Sequence, residues 1–170
     1  MKLTTLIFCC LFSLGSSAFA KTPGEVEVGR TLRDVPMNSF TGSIKKFSSY
    51  RGKPLIINIW ASWCGPCREE MASLERLSKR YNGKQFNIIG ISTDDDASAA
   101  AMAIKQSKLT FTNYLDHDVI LENMLGANTI PLTILVDAKG QVLLKVRGSH
   151  EWDDAESLKL ISQTFKVKLK

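Results

Sequence analysis

Trp63-Cys64-Gly65-Pro66-Cys67 is the stretch that decides the fold of this chain. It follows the short apolar run Leu55–Trp60 and opens a segment with helical periodicity. This order predicts a buried strand, a tight turn and the N-terminus of a helix. Because residues i and i+3 of a helix share a face, the two sulfurs can close a small disulfide or open to a dithiol with little backbone movement. The motif is therefore typical of thiol-disulfide exchange.

Metal binding is the first alternative for two cysteines at this spacing, but a structural zinc site needs four ligands. Cys9 and Cys10 lie in a segment that we expect to be removed, and His117 and His150 are far apart in sequence. A disulfide that only stabilises the fold is a second alternative, although it would close too short a loop to constrain the chain much. The acids Asp94-Asp95-Asp96 precede an Ala-rich segment, so we expect them to cap a helix rather than bind a cation. We predict neither a metal site nor another cofactor.

The N-terminus predicts export. Lys2 is followed by an apolar stretch over residues 3–14 and then by small residues ending in Ala18-Phe19-Ala20. This pattern is typical of a cleavable secretory signal, and the apolar stretch is shorter than the about 20 residues that a membrane span needs. We predict a signal peptide over residues 1–20 and a periplasmic protein, with an uncleaved membrane anchor as the alternative.

The remaining chain is long enough for one domain with its own core. We predict a flexible leader over residues 21–30 and the domain over residues 31–170. The 22 Lys and Arg residues outnumber the 17 Asp and Glu residues, which gives a net charge of +5. The basic residues are mostly scattered and are not interleaved with aromatic residues, so we expect no binding of nucleic acid.

Periodicity and turn residues divide the domain into alternating strands and helices. An N-terminal hairpin is predicted over residues 32–47, broken by Thr41-Gly42. Further strands are predicted at residues 55–60, 86–92, 112–115, 132–136 and 142–146. Helices are predicted at residues 66–81, 97–108, 119–125 and 153–165. This order predicts an α/β sandwich with a mixed central sheet.

The motifs resemble the thioredoxin superfamily, and most closely its exported TlpA/ResA-like branch. The resemblance covers nearly all of residues 27–165. It rests on Trp60-Ala61-Ser62-Trp63-Cys64-Gly65-Pro66-Cys67-Arg68-Glu69-Glu70-Met71, on Ile130-Pro131-Leu132-Thr133 followed by Ile134-Leu135-Val136-Asp137, and on the strand and helix between these blocks. It implies a thioredoxin-like three-layer sandwich with a mixed central sheet, an N-terminal β-hairpin and an inserted strand-helix unit.

The two cysteines are predicted to have different roles. Cys64 precedes the helix, where unpaired backbone N–H groups and the positive end of the dipole favour a thiolate, so we predict that it is the nucleophile. Cys67 lies one turn further into the helix and is predicted to resolve the mixed disulfide formed through Cys64. With Gly65 and Pro66 between them, the cysteines resemble those of reducing thioredoxins, whose potentials lie near about −270 mV.

Glu70 is predicted to handle protons. Helical geometry places it about 60° from Cys67, flanked by Leu74 and Leu77 on an apolar face. A carboxylate there should have a raised pKa and could move protons to or from Cys67. The alternative is that Glu70 reaches solvent or pairs with a lysine. The resemblance favours the functional interpretation, because the branch carries an acidic residue at this step, and because Asn58 stands where thioredoxins have a buried Asp.

Ile130-Pro131 is the second predicted functional block. Since only about 5–6% of X-Pro bonds are cis, the sequence alone predicts a trans bond. The resemblance implies a cis bond beside the cysteines, with the backbone of Ile130 pairing with an extended substrate. The alternative is a proline that opens a strand and makes no contact with the site. We predict that Trp63, Gly65 and Pro66 belong to the same substrate-binding surface.

These observations predict an exported, monomeric thiol-disulfide oxidoreductase that reduces disulfides in other proteins. A reductase in an oxidising compartment needs electrons from across the membrane, so a transmembrane thiol reductant is an expected partner. The resemblance makes apocytochrome c or a copper-site assembly protein plausible substrates. One alternative is a Cu(I) chaperone that uses the same thiols. A thiol peroxidase is another, although Ile57 and Ala61 stand where its Pro and Thr or Ser would precede Cys64.

Overall fold

The computed structural model describes residues 22–169. The strands in this range are β1 (Pro36–Ser39), β2 (Ile44–Lys46), β3 (Leu55–Trp60), β4 (Asn87–Ser92), β5 (Thr112–Leu115), β6 (Leu132–Val136) and β7 (Val142–Arg147). The α-helices are α1 (Gly65–Tyr81), α2 (Ala97–Gln106), α3 (Ile120–Leu125) and α4 (Ala155–Phe165), and a short 3₁₀ helix spans Phe47–Tyr50. The predicted N-terminal hairpin is confirmed as β1 and β2, and every other predicted strand and helix is present within about two residues of its predicted ends.

All seven strands of the described range form one mixed sheet in the order β2-β1-β5-β4-β3-β6-β7. Strand β4 runs parallel to β3 and β5, whereas β6 runs antiparallel to β3 and to β7. Every residue of β3 is buried. A continuous apolar run is expected for a central strand that is covered on both faces, and it places the residues that follow β3 at the middle of the sheet edge.

Side chains of β3 alternate between two layers that cover the sheet. Ile56 packs in one core cluster with Leu74 of α1 and Ile161 of α4. Ile57 packs in a second cluster with Leu125 of α3. Helices therefore lie on both faces, which confirms the three-layer α/β sandwich. Strand β5 and helix α3 lie in the chain between α1 and β6, where the strand-helix unit is predicted.

The N-terminal segment packs against the domain, so the prediction of a flexible leader is wrong for its described part. Val26 is buried in the cluster that contains α3, and its N–H donates to the Met124 carbonyl at 2.8 Å. The N–H of Gly29 donates to the Val142 carbonyl, also at 2.8 Å. Burial of an apolar side chain and pairing of the backbone fix the segment. The predicted signal peptide, residues 1–20, lies outside the described residues, and no helix within residues 22–169 has the length and apolar character to cross a membrane.

Three connections meet at one edge of the sheet. Because β3 and β4 are parallel, the residues that follow Trp60 and Ser92 leave the sheet on the same side. Because β6 is antiparallel to β3 and pairs Leu132 with Ile59, the residues that precede β6 arrive on that side too. Ligand sites of open α/β sheets lie at such carboxyl ends. The topology thus brings Cys64 and Pro131 to the same edge.

Gly90 of β4 permits a close contact beneath this edge. The indole Nε1 of Trp60 donates to Asn113 Oδ1 at 3.0 Å, and both side chains are buried. A Cβ atom on Gly90 would lie 1.9 Å from Asn113 Oδ1 and 3.0 Å from Trp60 Nε1. Only glycine leaves room for this hydrogen bond, which anchors the last residue of β3.

Candidate active site

The two cysteines form a disulfide at the start of α1. Their Cα atoms are 5.3 Å apart. Cys64 is the N-cap residue of α1, and its sulfur accepts the backbone N–H of Cys67 at 3.2 Å. Cys64 is 6% exposed and Cys67 is fully buried. An incoming group therefore reaches the sulfur of Cys64 first, and that sulfur already lies where helix N–H groups would stabilise a thiolate.

Ile130-Pro131 lies beside the disulfide. The bond between the two residues is cis, so the prediction from sequence alone is wrong and the one implied by the family resemblance is confirmed. The carbonyl oxygen of Ile130 is 3.9 Å from Cys64 Sγ. Trp63 is 69% exposed on the same side, Pro66 is exposed and Gly65 is partly exposed. The structure thus brings these predicted substrate-binding residues together around Cys64.

Asp94 holds the turn between β3 and α1. Its carboxylate is buried and accepts hydrogen bonds from the backbone N–H of Ser62 at 2.9 Å, from Ser62 Oγ at 2.6 Å and from Ser92 Oγ at 2.7 Å. The prediction of a helix cap is confirmed for Asp96, which accepts the N–H of Ser98 at 2.8 Å, but is wrong for Asp94. A buried carboxylate is costly unless it is hydrogen-bonded, and here the bonds fix the approach to Cys64.

Glu70 is enclosed by three N–H donors. Its side chain is 1% exposed. Asn58 Nδ2 donates to Oε1 at 2.7 Å, while the backbone N–H of His150 and Trp152 Nε1 each donate to Oε2 at 3.1 Å. Among the residues that the structure describes, no lysine pairs with this carboxylate. The alternative in which Glu70 reaches solvent or pairs with a lysine is therefore wrong.

Two opposing effects set the proton affinity of Glu70. Burial raises the pKa of Glu70 to about 7, and the hydrogen bonds from His150, Asn58 and Trp152 lower it. Burial disfavours the ionised form of Glu70, and the three donors favour it. Burial has the larger effect because no cationic partner offsets it. A carboxyl group with a pKa near neutrality can both take and give a proton at neutral pH.

Trp152 is the site residue that sequence reasoning missed. Its side chain is fully buried, and its backbone N–H donates to Ser73 Oγ at 3.0 Å. Ser73 Oγ in turn donates to the Glu70 carbonyl at 2.7 Å. Arg76 joins the same segment to α1 through Asp153 at 2.7 Å. The segment between β7 and α4 is thereby fastened to α1, and no local pattern in the sequence connects residues 70 and 152.

The two sulfurs are also candidate metal ligands. Thiolates of Cys64 and Cys67 are the soft ligands that Cu(I) prefers. Within residues 22–169, no group of three or more His, Cys, Asp and Glu side chains is arranged to hold a metal ion.

Comparison with known proteins agrees with this geometry. The family described as Redoxin matches residues 28–159. The thiol-disulfide oxidoreductase ResA of Bacillus cereus (strain ATCC 10987 / NRS 248) is 26% identical over 145 residues, which is 85% of this chain and 83% of the relative. ResA of Geobacillus thermodenitrificans (strain NG80-2) is 27% identical over 154 residues, covering 89% of this chain and 88% of the relative.

Solved structures show the same fold. A Chlorobium tepidum crystal structure, assigned to the thiol:disulfide interchange protein DsbE, has a TM-score of 0.75 and 26% identity, and the match covers 82% of this chain and 99% of that one. StoA of Bacillus subtilis has a TM-score of 0.66 and 23% identity, covering 76% of this chain and 96% of that one. At that identity the second likeness concerns the fold alone.

Proposed function

The chain belongs to the Redoxin family, as a TlpA/ResA-like thiol-disulfide oxidoreductase of the thioredoxin superfamily, and from this premise we propose that it reduces disulfide bonds in exported proteins. The observation that carries the proposal is the asymmetry of the two sulfurs. Cys64 faces the surface at the N-terminus of α1, whereas Cys67 is buried behind it. An attacking thiol and a resolving thiol need this arrangement.

In the proposed reaction the protein begins as a dithiol. The Cys64 thiolate attacks one sulfur of a substrate disulfide and forms a mixed disulfide, and the other substrate sulfur leaves as a thiolate that takes up a proton. Cys67 then loses its proton and attacks Cys64 Sγ, which releases the second substrate sulfur and forms the Cys64–Cys67 bond. Two electrons pass from the protein to the substrate.

We assign Glu70 the proton that Cys67 must lose. It follows Cys67 by one turn of α1, on the buried side of the helix. At neutral pH a fraction of Glu70 is ionised and can accept a proton, because its pKa lies at about 7. Asn58 and Trp152 act as positioning residues, since they hold the carboxylate without touching the substrate.

Substrate binding is proposed for the surface around Cys64. The backbone of Ile130 would pair with an extended substrate segment, as β-strand addition requires exposed main-chain groups. Pro131 sets the path of that backbone, and Trp63, Gly65 and Pro66 flank the sulfur. The closeness of the Ile130 carbonyl to Cys64 Sγ, 3.9 Å, supports this assignment.

Export and electron supply complete the proposal. Residues 1–20 would act as a signal peptide that is removed, leaving a monomer in the periplasm. Because that compartment is oxidising, the Cys64–Cys67 disulfide would be reduced again by a transmembrane thiol reductant. The relatives named ResA and DsbE support a thiol-exchange role, and we propose apocytochrome c or a copper-site assembly protein as the substrate.

Two cysteine variants test the proposal. In an insulin-disulfide assay driven by dithiothreitol, Cys64→Ser should abolish activity above the uncatalysed rate, and retention of most activity would contradict the assignment. Cys67→Ser should retain mixed disulfides, which non-reducing gels and mass spectrometry identify in the exporting cell. Absence of such adducts in an expressed and exported variant would contradict the resolving role of Cys67.

A further inference from the structure

A groove lies beside the disulfide at the edge where the connections of the sheet meet. Its volume is about 320 Å³, and its lining includes Trp63, Thr93, Glu122 and Ile130. We call it the Trp63 groove. These residues come from the turns after β3 and β4, from α3 and from the segment before β6, so the topology of the sheet builds the groove.

The Trp63 groove is close enough to Cys64 to contact a bound substrate. Ile130, which lines it, has its carbonyl oxygen 3.9 Å from Cys64 Sγ. Trp63, which also lines it, precedes Cys64 in the chain and is 69% exposed. Residues that flank the attacked cysteine of a polypeptide substrate can therefore lie along this groove.

Glu122 gives the groove an uncompensated negative charge. Its side chain is half-buried. Burial raises the pKa of Glu122, and the negative charges of Asp116 and Asp95 raise it further. Across residues 22–169, no Lys, Arg or His forms an ion pair with its carboxylate. A cation in the groove would relieve this repulsion.

Two cationic side chains near this edge, Lys145 and Arg147, form no ion pair with Glu122. Lys145 Nζ donates to the Leu125 carbonyl at 2.9 Å and pairs with Glu25. Arg147 donates to the Gly126 carbonyl at 3.0 Å and to Asn128 Oδ1 at 3.2 Å. Both contact the end of α3, and Arg147 approaches the groove through Asn128, which lines it. Among the described residues the Glu122 carboxylate still has no basic partner, so a substrate can supply one.

Resting on the proposed function, we propose that the Trp63 groove selects substrates that carry a lysine or arginine beside the attacked disulfide, with Glu122 as the specificity-determining residue. The exposed ring of Trp63 adds a surface over which such a cation is attracted. Because the whole chain carries a net charge of +5, long-range electrostatics would favour acidic substrates instead. A preference for basic substrates would therefore identify a local interaction.

The test compares disulfide peptides that differ in one flanking charge. Three peptides with one internal disulfide carry Lys, Gln or Glu on both sides of each cysteine and are otherwise identical. The reduced protein is mixed with each peptide, and acid-quenched samples give the rate of peptide reduction. Each rate is divided by the rate with dithiothreitol, which corrects for the effect of the flanking charge on the peptide disulfide itself.

We expect the wild-type protein to reduce the Lys peptide at least about threefold faster than the Glu peptide, the size of one partly exposed charge pair. Glu122→Gln should abolish the preference for the Lys peptide, and Glu122→Lys should invert the ratio. The matched control is Glu156→Gln, an exposed acid of α4 outside this groove, which should keep the wild-type ratio. For the wild-type protein, 0.5 M NaCl should reduce the ratio because salt screens the attraction.

Equal corrected rates for the three peptides in wild-type protein would overturn the inference and leave the proposed reductase intact. A preference that survives both Glu122 substitutions would overturn the assignment of Glu122. Failure to reduce any peptide would instead contradict the proposed function itself.

Discussion

Asn58 Nδ2 lies 2.7 Å from Glu70 Oε1, so an amide of the central strand donates directly to the buried carboxylate that follows the second cysteine by one turn. The amide also donates to Thr133 Oγ1 at 3.0 Å, which orients it toward the carboxylate. Thioredoxins, which this chain resembles, place an acid in that strand. Here the acid is on the helix and the strand supplies its donor. One carboxyl group therefore serves the site, with an amide as its support.

Asn58→Asp tests this pairing, because it puts a second acid against Glu70. Two carboxylates this close cannot both ionise without a large penalty. We expect the variant to lose about 2–4 kcal/mol of unfolding free energy at pH 8 and much less at pH 5, measured by urea denaturation. The matched control is the same substitution in a Glu70→Gln background, where the loss should depend less on pH, because only burial then opposes ionisation of the new carboxyl group. An equal loss at both pH values in both backgrounds would contradict direct coupling.

Glu70→Gln tests the raised pKa of Glu70 through stability. The folded protein holds this proton up to pH about 7, whereas the unfolded chain releases it near the ordinary value of 4.5. The folded state thus binds more protons between these values, and the stability that Glu70 contributes is present below pH 4.5 and is lost as pH rises through 7. At about 1.4 kcal/mol per pKa unit the loss is about 3 kcal/mol.

Between pH 4 and pH 8, we expect the unfolding free energy of Glu70→Gln to rise by about 3 kcal/mol relative to that of the wild-type disulfide form. Glu69→Gln is the matched control, because Glu69 is exposed on the other side of α1, and it should keep the wild-type slope. A parallel pH dependence of Glu70→Gln and wild type would show that Glu70 has an ordinary pKa.

Trp152→Phe tests the positioning of Glu70. The variant keeps an aromatic ring but removes the Nε1 donor to Oε2. That hydrogen bond lowers the pKa of Glu70, so its loss should raise this pKa by about one unit. The pH dependence of stability and of the thiol-exchange rate that is due to Glu70 should therefore shift to higher pH by the same amount. Trp60→Phe removes a different buried indole donor, the one to Asn113, and should leave this pH dependence in place. An unchanged profile in Trp152→Phe would make Trp152 a packing residue only.

Gly90→Ala tests the contact beneath the motif. The added methyl group would meet Asn113 Oδ1 at 1.9 Å, which forces the Trp60–Asn113 hydrogen bond apart. We expect a loss of about 1–3 kcal/mol in unfolding free energy, typical of overpacking. Gly65→Ala is the matched control, because a Cβ atom there meets nothing within 4 Å. Similar stabilities of the two variants would contradict the packing account.

The features that sequence predicts well are those fixed by local pattern. The apolar run Leu55–Trp60 defines its own strand, and the spacing of Cys64 and Cys67 defines a helix N-terminus and a disulfide. The buried side of Glu70 also follows from helical geometry. The identity of its hydrogen-bond partners does not follow, because His150 and Trp152 are 80 and 82 residues away in the chain and only the fold brings them to Glu70.

Three other predictions from local sequence are wrong because they too depend on tertiary contacts. Asp94 looks like one more acid before a helix, and its role depends on Ser62 of a neighbouring turn. The segment containing Val26 has the composition of a leader, yet the Val26 side chain fits a site beside α3. The cis bond before Pro131 is predicted only by the family resemblance, since local sequence favours trans. Tertiary contacts decide each of these cases.

The reduction potential of the Cys64–Cys67 pair tests the central claim most directly. The protein is equilibrated with graded dithiothreitol couples, and the oxidised fraction is measured by thiol alkylation. We expect a value near that of thioredoxin, about −270 mV, as a reductase supplied with electrons requires. A value near the about −120 mV of strong periplasmic oxidants would contradict the account, because the protein would then donate disulfides rather than reduce them.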